Sequence, residues 1–184
     1  MRKVILFNMV SVDGLFEGPN RDINWHTVDE EFNQFAIKQL DEADGLIFGR
    51  VTYELMASYW PTTAAAEDDP AVAERMNALP KIVFSKTLQA AGWQNTRLVS
   101  EDTAGEVTRL KQQPGADLLI FGSGCLAGYL TRHGLIDEYR LMVAPLVLGS
   151  GTPLFQGVHG PQSLKLLNTR AFGNGNVLLS YQPA

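Results

Sequence analysis

Apolar residues along the chain follow two alternating patterns. Short unbroken aliphatic and β-branched runs occur near 2–11, 44–49, 80–85, 96–100, 117–122 and 136–143, with two more between about 163 and 182. Between them, over 29–42, 50–58, 70–78, 102–112 and 124–133, apolar residues recur at three- and four-residue spacing. Continuous short runs suit strands buried on both faces, and the longer spacing suits helices with one buried stripe. Their alternation predicts an α/β fold with a mainly parallel sheet flanked by helices. In the first helical segment Phe32, Phe35, Ala36, Gln39 and Leu40 share a stripe, while Asp29, Glu30 and Glu31 suit the positive N-terminal end. Gly173-Asn174-Gly175-Asn176 is a turn signal that predicts a hairpin of the last two strands. The stretch from Pro61 to Pro70 reads as an exposed connection. No repeat or linker divides the chain, so residues 1–184 are expected to form one domain.

Composition narrows the classes. With 45% hydrophobic and 19% charged residues the chain matches ordinary folded proteins. A net charge of −5 without a Lys/Arg cluster argues against nucleic-acid and membrane-surface partners. Cys125 is the single cysteine, which excludes an intrachain disulfide and a cysteine-rich zinc site. The apolar run after Met1-Arg2-Lys3 ends at Asn8, too short for a signal-peptide core or a membrane span, so a cytoplasmic location is expected. His26, His133 and His159 are scattered without metal-ligand spacing, so no metal site is expected. Ser123 lacks the flanks of a nucleophile elbow, and Gly149-Ser150-Gly151-Thr152 lacks the lysine of a phosphate loop.

Candidate chemistry lies at three strand ends, the side of an open α/β sheet where ligands bind. In Leu46-Ile47-Phe48-Gly49-Arg50-Val51-Thr52-Tyr53-Glu54 a buried strand opens into a helix through Gly, a phosphate-competent Arg50 and the Thr52 hydroxyl. Leu118-Leu119-Ile120-Phe121-Gly122-Ser123-Gly124-Cys125-Leu126-Ala127 matches G-x-G-x-x-A at a strand-to-helix turn, outside the usual dinucleotide-fold context. It reads equally as a diphosphate cradle at a helix N-terminus or as a plain tight turn. In Lys81-Ile82-Val83-Phe84-Ser85-Lys86-Thr87 a strand ends with hydroxyls around a cation, a combination suited to a 2′-phosphate, although Lys86 alone also suits a solvated loop.

These segments resemble the dihydrofolate-reductase-like superfamily, and within it stand-alone homologues of the C-terminal reductase domain of bifunctional riboflavin-biosynthesis deaminase/reductases. Ser11-Val12-Asp13-Gly14, Gly49 to Glu54, Ile82 to Leu88, Gly122 through Leu135-Ile136-Asp137-Glu138, Pro145 to Gly149 and Pro153-Leu154-Phe155 carry the resemblance in order over nearly the whole chain. The resemblance implies an eight-stranded, mostly parallel sheet and NADPH as cofactor. It places Gly49, Arg50 and Thr52 on one side of the diphosphate and Gly122, Ser123 and Gly124, with Cys125 and Leu126, on the other. Ser85 and Lys86 then fall at the adenosine 2′-phosphate, and Met9, Val10 and Ser11 near the nicotinamide. Trp25-His26-Thr27-Val28-Asp29-Glu30 is similar to a tryptophan-then-acid order in which the acid assists substrate protonation. That order makes Asp29 or Glu30 the candidate acid, unless the segment is an aromatic plug followed by helix-capping carboxylates. Trp25 and Phe16 are candidate pocket walls, and Asp13 orients substrate or makes an Asx turn. A homodimer is also implied.

The zinc deaminase signature H-x-E with P-C-x-x-C is absent, as is an array of basic residues for a ribose 5′-phosphate. The activity that the resemblance implies is NADPH-dependent reduction of a C=N or C=O group in a small heterocycle of pteridine or pyrimidine type. The alternative is a nucleotide-binding protein of the same fold without turnover.

Overall fold

The computed structural model describes residues 1–184. The first half contains β1 (Val4–Val10), β2 (Leu15–Glu17), α1 (Glu30–Asp41), β3 (Ala43–Gly49), α2 (Arg50–Tyr59), α3 (Thr63–Asp68), α4 (Pro70–Ala78) and β4 (Lys81–Phe84). There follow β5 (Thr96–Val99), α5 (Thr103–Gln112), β6 (Asp117–Phe121), α6 (Gly124–Arg132), β7 (Glu138–Val143), β8 (Thr152–Pro153), β9 (Leu164–Ala171) and β10 (Val177–Pro183). Eight strands form one sheet in the order β5-β4-β3-β6-β1-β7-β10-β9. The neighbours from β5 to β7 are parallel, and β10 pairs antiparallel with both β7 and β9. The fold class and the C-terminal hairpin are those the apolar pattern and the resemblance predicted.

Strand periodicity explains the layering. In β1, β3 and β6 alternate side chains point to opposite faces. Val4, Leu6, Ile47, Leu118 and Ile120 belong to the core that packs on α5 and α6, whereas Ile5, Leu46, Phe48 and Leu119 belong to the one that packs on α1, α2 and α4. Both faces are covered, so β1 and β4 are buried at every position. At the far edge, all eight residues of β9 are exposed.

Two features depart from the sequence expectations. The Pro61–Pro70 stretch contains α3, because its alanine run favours helix and Thr62 caps it by accepting from the N–H of Ala65 at 3.2 Å. Ala65 is completely buried, so the stretch is not simply an exposed connection. The second departure is a small antiparallel sheet of β2 with β8, whose three and two residues are too few to show a period.

Lys81 is a buried cation with no carboxylate partner. Its ammonium donates to the carbonyl oxygens of Met76, Asn77 and Leu79 at 2.8, 3.1 and 2.7 Å and lies 4.4 Å from the Trp93 ring centre. It thereby satisfies carbonyls that the end of α4 leaves open, and burial pulls its pKa down to about 8.

Candidate functional site

Helix N-termini leave N–H groups without intrahelical partners, and a side-chain acceptor at the cap usually takes one of them. Asp29, Thr62, Asp69 and Asp102 do so for α1, α3, α4 and α5. The helices α2 and α6 have no side-chain cap. They start at the carboxyl ends of the neighbouring strands β3 and β6 and are tied to each other there. The Ser123 N–H donates to Thr52 Oγ1 at 2.8 Å, and the Gly49 N–H donates to Ser123 Oγ at 2.9 Å. Ser123 Oγ also donates to the Phe121 carbonyl at 3.0 Å. Two positive helix ends are therefore locked side by side, which is an arrangement suited to an anion.

The glycines here have different reasons. Gly122 has φ +55°, and a Cβ there would lie 2.8 Å from Thr52 Oγ1, so both conformation and space require glycine. At Gly124 a Cβ would lie 2.8 Å from the Phe16 ring and 3.2 Å from the Leu154 carbonyl. Close packing of the β2 segment, and not room for a ligand, requires Gly124. Cys125 and Leu126 complete the first turn of α6, with Cys125 exposed. Arg50 lies in the first turn of α2 and pairs with Glu54 at 2.8 Å.

One strand further out, at the end of β4, Ser85 Oγ accepts from the N–H groups of Thr87 and Leu88 at 3.1 and 2.9 Å. Lys86 is exposed on the resulting turn and has no carboxylate partner. Across the sheet, Met9 and Val10 end β1, and the buried Ser11 hydroxyl bridges to the backbone of Leu15.

Beside this groove opens a cavity of about 710 Å³, bounded by the ends of β1 and β6, α1, α2 and the loop before α1. Phe7, Met9, Phe16, Phe32, Met56 and Phe121 give it apolar walls. Its charged lining is Glu17, Glu54, Asp68, Asp69 and Arg21. Asn20 and Arg21 both adopt left-handed backbone, φ 59° and 64°, a conformation that non-glycine residues hold only when their surroundings impose it. Asn8 is buried and donates to the Gly122 carbonyl at 3.1 Å, which joins the cavity floor to the glycine turn. Two polar side chains in the lining are incompletely partnered: buried Gln39 has no partner for Oε1, and half-buried His26 has none for Nε2. Burial lowers the His26 pKa to about 4 against the opposing pull of Asp22, so the ring is neutral at neutral pH.

The structure thus brings Met9, Phe16, Thr52 and Gly122 to the cavity and Gly49, Arg50, Ser123 and Cys125 to the adjoining groove, whereas the Leu126 side chain packs in the core. It keeps Val10 and Ser11, both buried, and four of the substrate and catalytic candidates out of the cavity lining. Asp29 accepts from the Phe32 N–H at 2.8 Å as the cap of α1, and exposed Glu30 accepts from Gln34 at 3.0 Å. The Trp25 indole donates to the Asp22 carbonyl at 3.1 Å and meets His26 edge-on. Asp13 clips two loops together by accepting from the N–H groups of Leu148 and Gly149 at 3.0 and 2.8 Å, and the Ser11 hydroxyl together with these two N–H groups holds its pKa down to about 2. Its clip is longer in range than the Asx turn considered from sequence. Sequence reasoning missed Gln39, Glu17, Arg21, Asp68 and Asp69 as lining residues and weighed His26 only as a metal ligand. Gln39 did carry a signal, since it is the one polar residue in the apolar stripe of α1.

Residues 2–178 match the RibD C-terminal domain family. The chain is 32% identical to the uncharacterized Bacillus subtilis protein YyaP, over 98% of this chain and 94% of that one. Among solved structures it is similar to a Shewanella protein provisionally assigned to riboflavin biosynthesis, with a TM-score of 0.76, 22% identity and 99% of both chains covered. It is also similar to a Thermotoga maritima diaminohydroxyphosphoribosylaminopyrimidine deaminase/5-amino-6-(5-phosphoribosylamino)uracil reductase, with a TM-score of 0.72 and 17% identity, over all of this chain but 57% of that one. A Corynebacterium diphtheriae pyrimidine reductase-like protein aligns over 100% of this chain and 92% of its own, with a TM-score of 0.67 and 13% identity.

Proposed function

The chain belongs to the RibD C-terminal domain family, and from that premise we propose that it is an NADPH-dependent reductase of a small pyrimidine- or pteridine-like heterocycle. The observation that carries this reading is the pair of uncapped helix ends, α2 and α6, beside an apolar cavity. A dinucleotide needs an anion site for its diphosphate next to a dry space for its reactive ring, and these two features adjoin at Thr52 and Gly122.

The residues fit such a cofactor. First-turn N–H groups of α2 and α6 would hold the diphosphate, with Arg50 adding charge from the rim. Ser85 and the unpaired Lys86 suit a 2′-phosphate, which is the basis for preferring NADPH over NADH. When bound, the nicotinamide supplies hydride. The protein's own work is to orient and to exclude water: Met9 and Phe121 wall the space, and Asn8 fixes the Gly122 turn. Asp29 and Glu30 lie outside the cavity lining, which leaves the lining carboxylates and water to supply the accompanying proton.

The same reading includes a homodimer, supported by the exposed Leu164, Leu166 and Leu167 on β9. Light scattering that shows a monomer at micromolar concentrations removes that component. The central test pairs thermal shift with turnover. NADPH is expected to stabilise the fold more than NADH does, and NADPH absorbance is expected to fall with at least one aminopyrimidine or pterin. Stabilisation without turnover across such a panel identifies a binding protein instead, and no response to either nucleotide ends the proposal.

A further inference from the structure

The cavity lining is electrostatically one-sided. Four carboxylates, Glu17, Glu54, Asp68 and Asp69, share it with a single guanidinium, Arg21. Arg50, the next cation near the groove, is paired with Glu54, which leaves Glu17, Asp68 and Asp69 against Arg21. His26 adds no charge at neutral pH because its burial keeps it unprotonated. A phosphate ester brought into this space would face uncompensated like charge.

The orphaned groups show what would be welcome. A buried polar atom without a partner is unfavourable, so a retained one in a cavity wall marks a place where something else completes the bond. Gln39 is 3% exposed and its Oε1 accepts from nothing in the protein. The His26 imidazole offers Nε2 without a partner, as donor or acceptor according to tautomer. Around them stand the aromatic rings of Phe7, Phe16, Phe32 and Phe121 and the side chains of Met9 and Met56, which suit a flat ring.

We propose that this cavity selects an unphosphorylated, neutral or cationic heterocycle, with the Gln39 carboxamide and the His26 ring supplying its polar contacts. The inference rests on the reading of the cavity as the substrate site. Gln39 and His26 are specificity residues that touch substrate, and the acidic rim excludes phosphate esters.

Calorimetric titration of the full chain, with and without saturating NADPH, tests this. The probes are 2,4-diaminopyrimidine, 6-aminouracil, and the matched pair uridine and uridine 5′-monophosphate. At least one unphosphorylated probe is expected to bind, and the monophosphate at least tenfold more weakly than its nucleoside. In Asp68→Lys that ratio should move toward one. Gln39→Met is expected to weaken the amino-bearing probe at least tenfold while the melting temperature holds or rises, because an unsatisfied acceptor has been removed. A lower melting temperature with unchanged probe affinity makes Gln39 structural and overturns its assignment. Equal or tighter binding of the monophosphate to the unmodified chain overturns the charge argument without any variant. NADPH binding with no affinity for any unphosphorylated probe overturns the substrate class alone, whereas the absence of an NADPH response defeats the cofactor reading and leaves the probe pair readable on the free chain.

Discussion

The groove between α2 and α6 and the cavity beside it are built from different materials. The groove is backbone: two helix ends without side-chain caps, held together by Thr52 and Ser123. The cavity is side chains, gathered from β1, β2 and β6, from α1, α2 and α4, and from the loop before α1 and the α3–α4 junction. A backbone site recognises a feature shared by many ligands, an anion. A side-chain site recognises one shape and one charge pattern, and can change while the groove stays as it is. On the proposed reading the first captures the cofactor and the second chooses the substrate.

Substitutions can break this contrast, beginning with the one of largest effect. Gly124→Asp should lower unfolding free energy by about 3 kcal/mol or more in urea, since overpacking against Phe16 and a buried charge act together. Retention of full stability would show that Gly124 faces the groove and not the β2 segment.

The cavity answers to pH. Because the folded-state pKa of His26 is lowered to about 4, the unfolded chain takes up its proton first, and the histidine's contribution to stability is complete above pH 6.5 and lost as pH falls from there toward 4. The loss amounts to about 3 kcal/mol. His26→Leu should flatten that part of a stability-against-pH curve, and a variant with the same slope as the parent chain would place the acid sensitivity elsewhere.

Cys125→Asp offers the clean counterpart to Gly124→Asp, because the cysteine is exposed in the first turn of α6. It should keep the fold and lose at least tenfold in NADPH affinity, about 1.4 kcal/mol. Undiminished affinity by fluorescence titration would separate α6 from the diphosphate. Lys86→Glu should shift the NADPH-to-NADH affinity ratio several-fold toward NADH, and an unchanged ratio moves the 2′-phosphate away from β4. Arg50→Ala is expected to have the smallest effect, a loss of a few-fold, since Glu54 already engages the guanidinium.

The two regions also differed in how far they could be read in advance. The groove is encoded in contiguous segments, Gly49–Thr52 and Gly122–Leu126, where a strand run, a glycine and a helix period follow one another and announce a helix start. Physical reasoning could place both turns because each is local. It could not foresee that Thr52 and Ser123 bond to each other, since 71 residues separate them. The cavity has no contiguous signature. Asp68 and Asp69 sit where composition suggested a simple connection, and α3 turns that stretch into a wall. Asp29 shows the reverse difficulty: an acid at a helix start suits a cap as well as a proton donor, and only geometry separates the two.

The place of β1 in the sheet has a consequence for how the molecule assembles. Its partners lie far along the chain: Val4 pairs with Leu118 and Ile5 with Glu138. Closing loops of that span carries an entropic penalty before any pairing compensates it, so folding should be slow for the chain's length. Until β6 and β7 are available, a strand buried at all seven positions is without its neighbours and open to misassociation. The glycine turn at the end of β6 and the cavity floor at Asn8 therefore come into existence together and late, so a ligand held by both can capture only chains that have already completed the centre of the sheet.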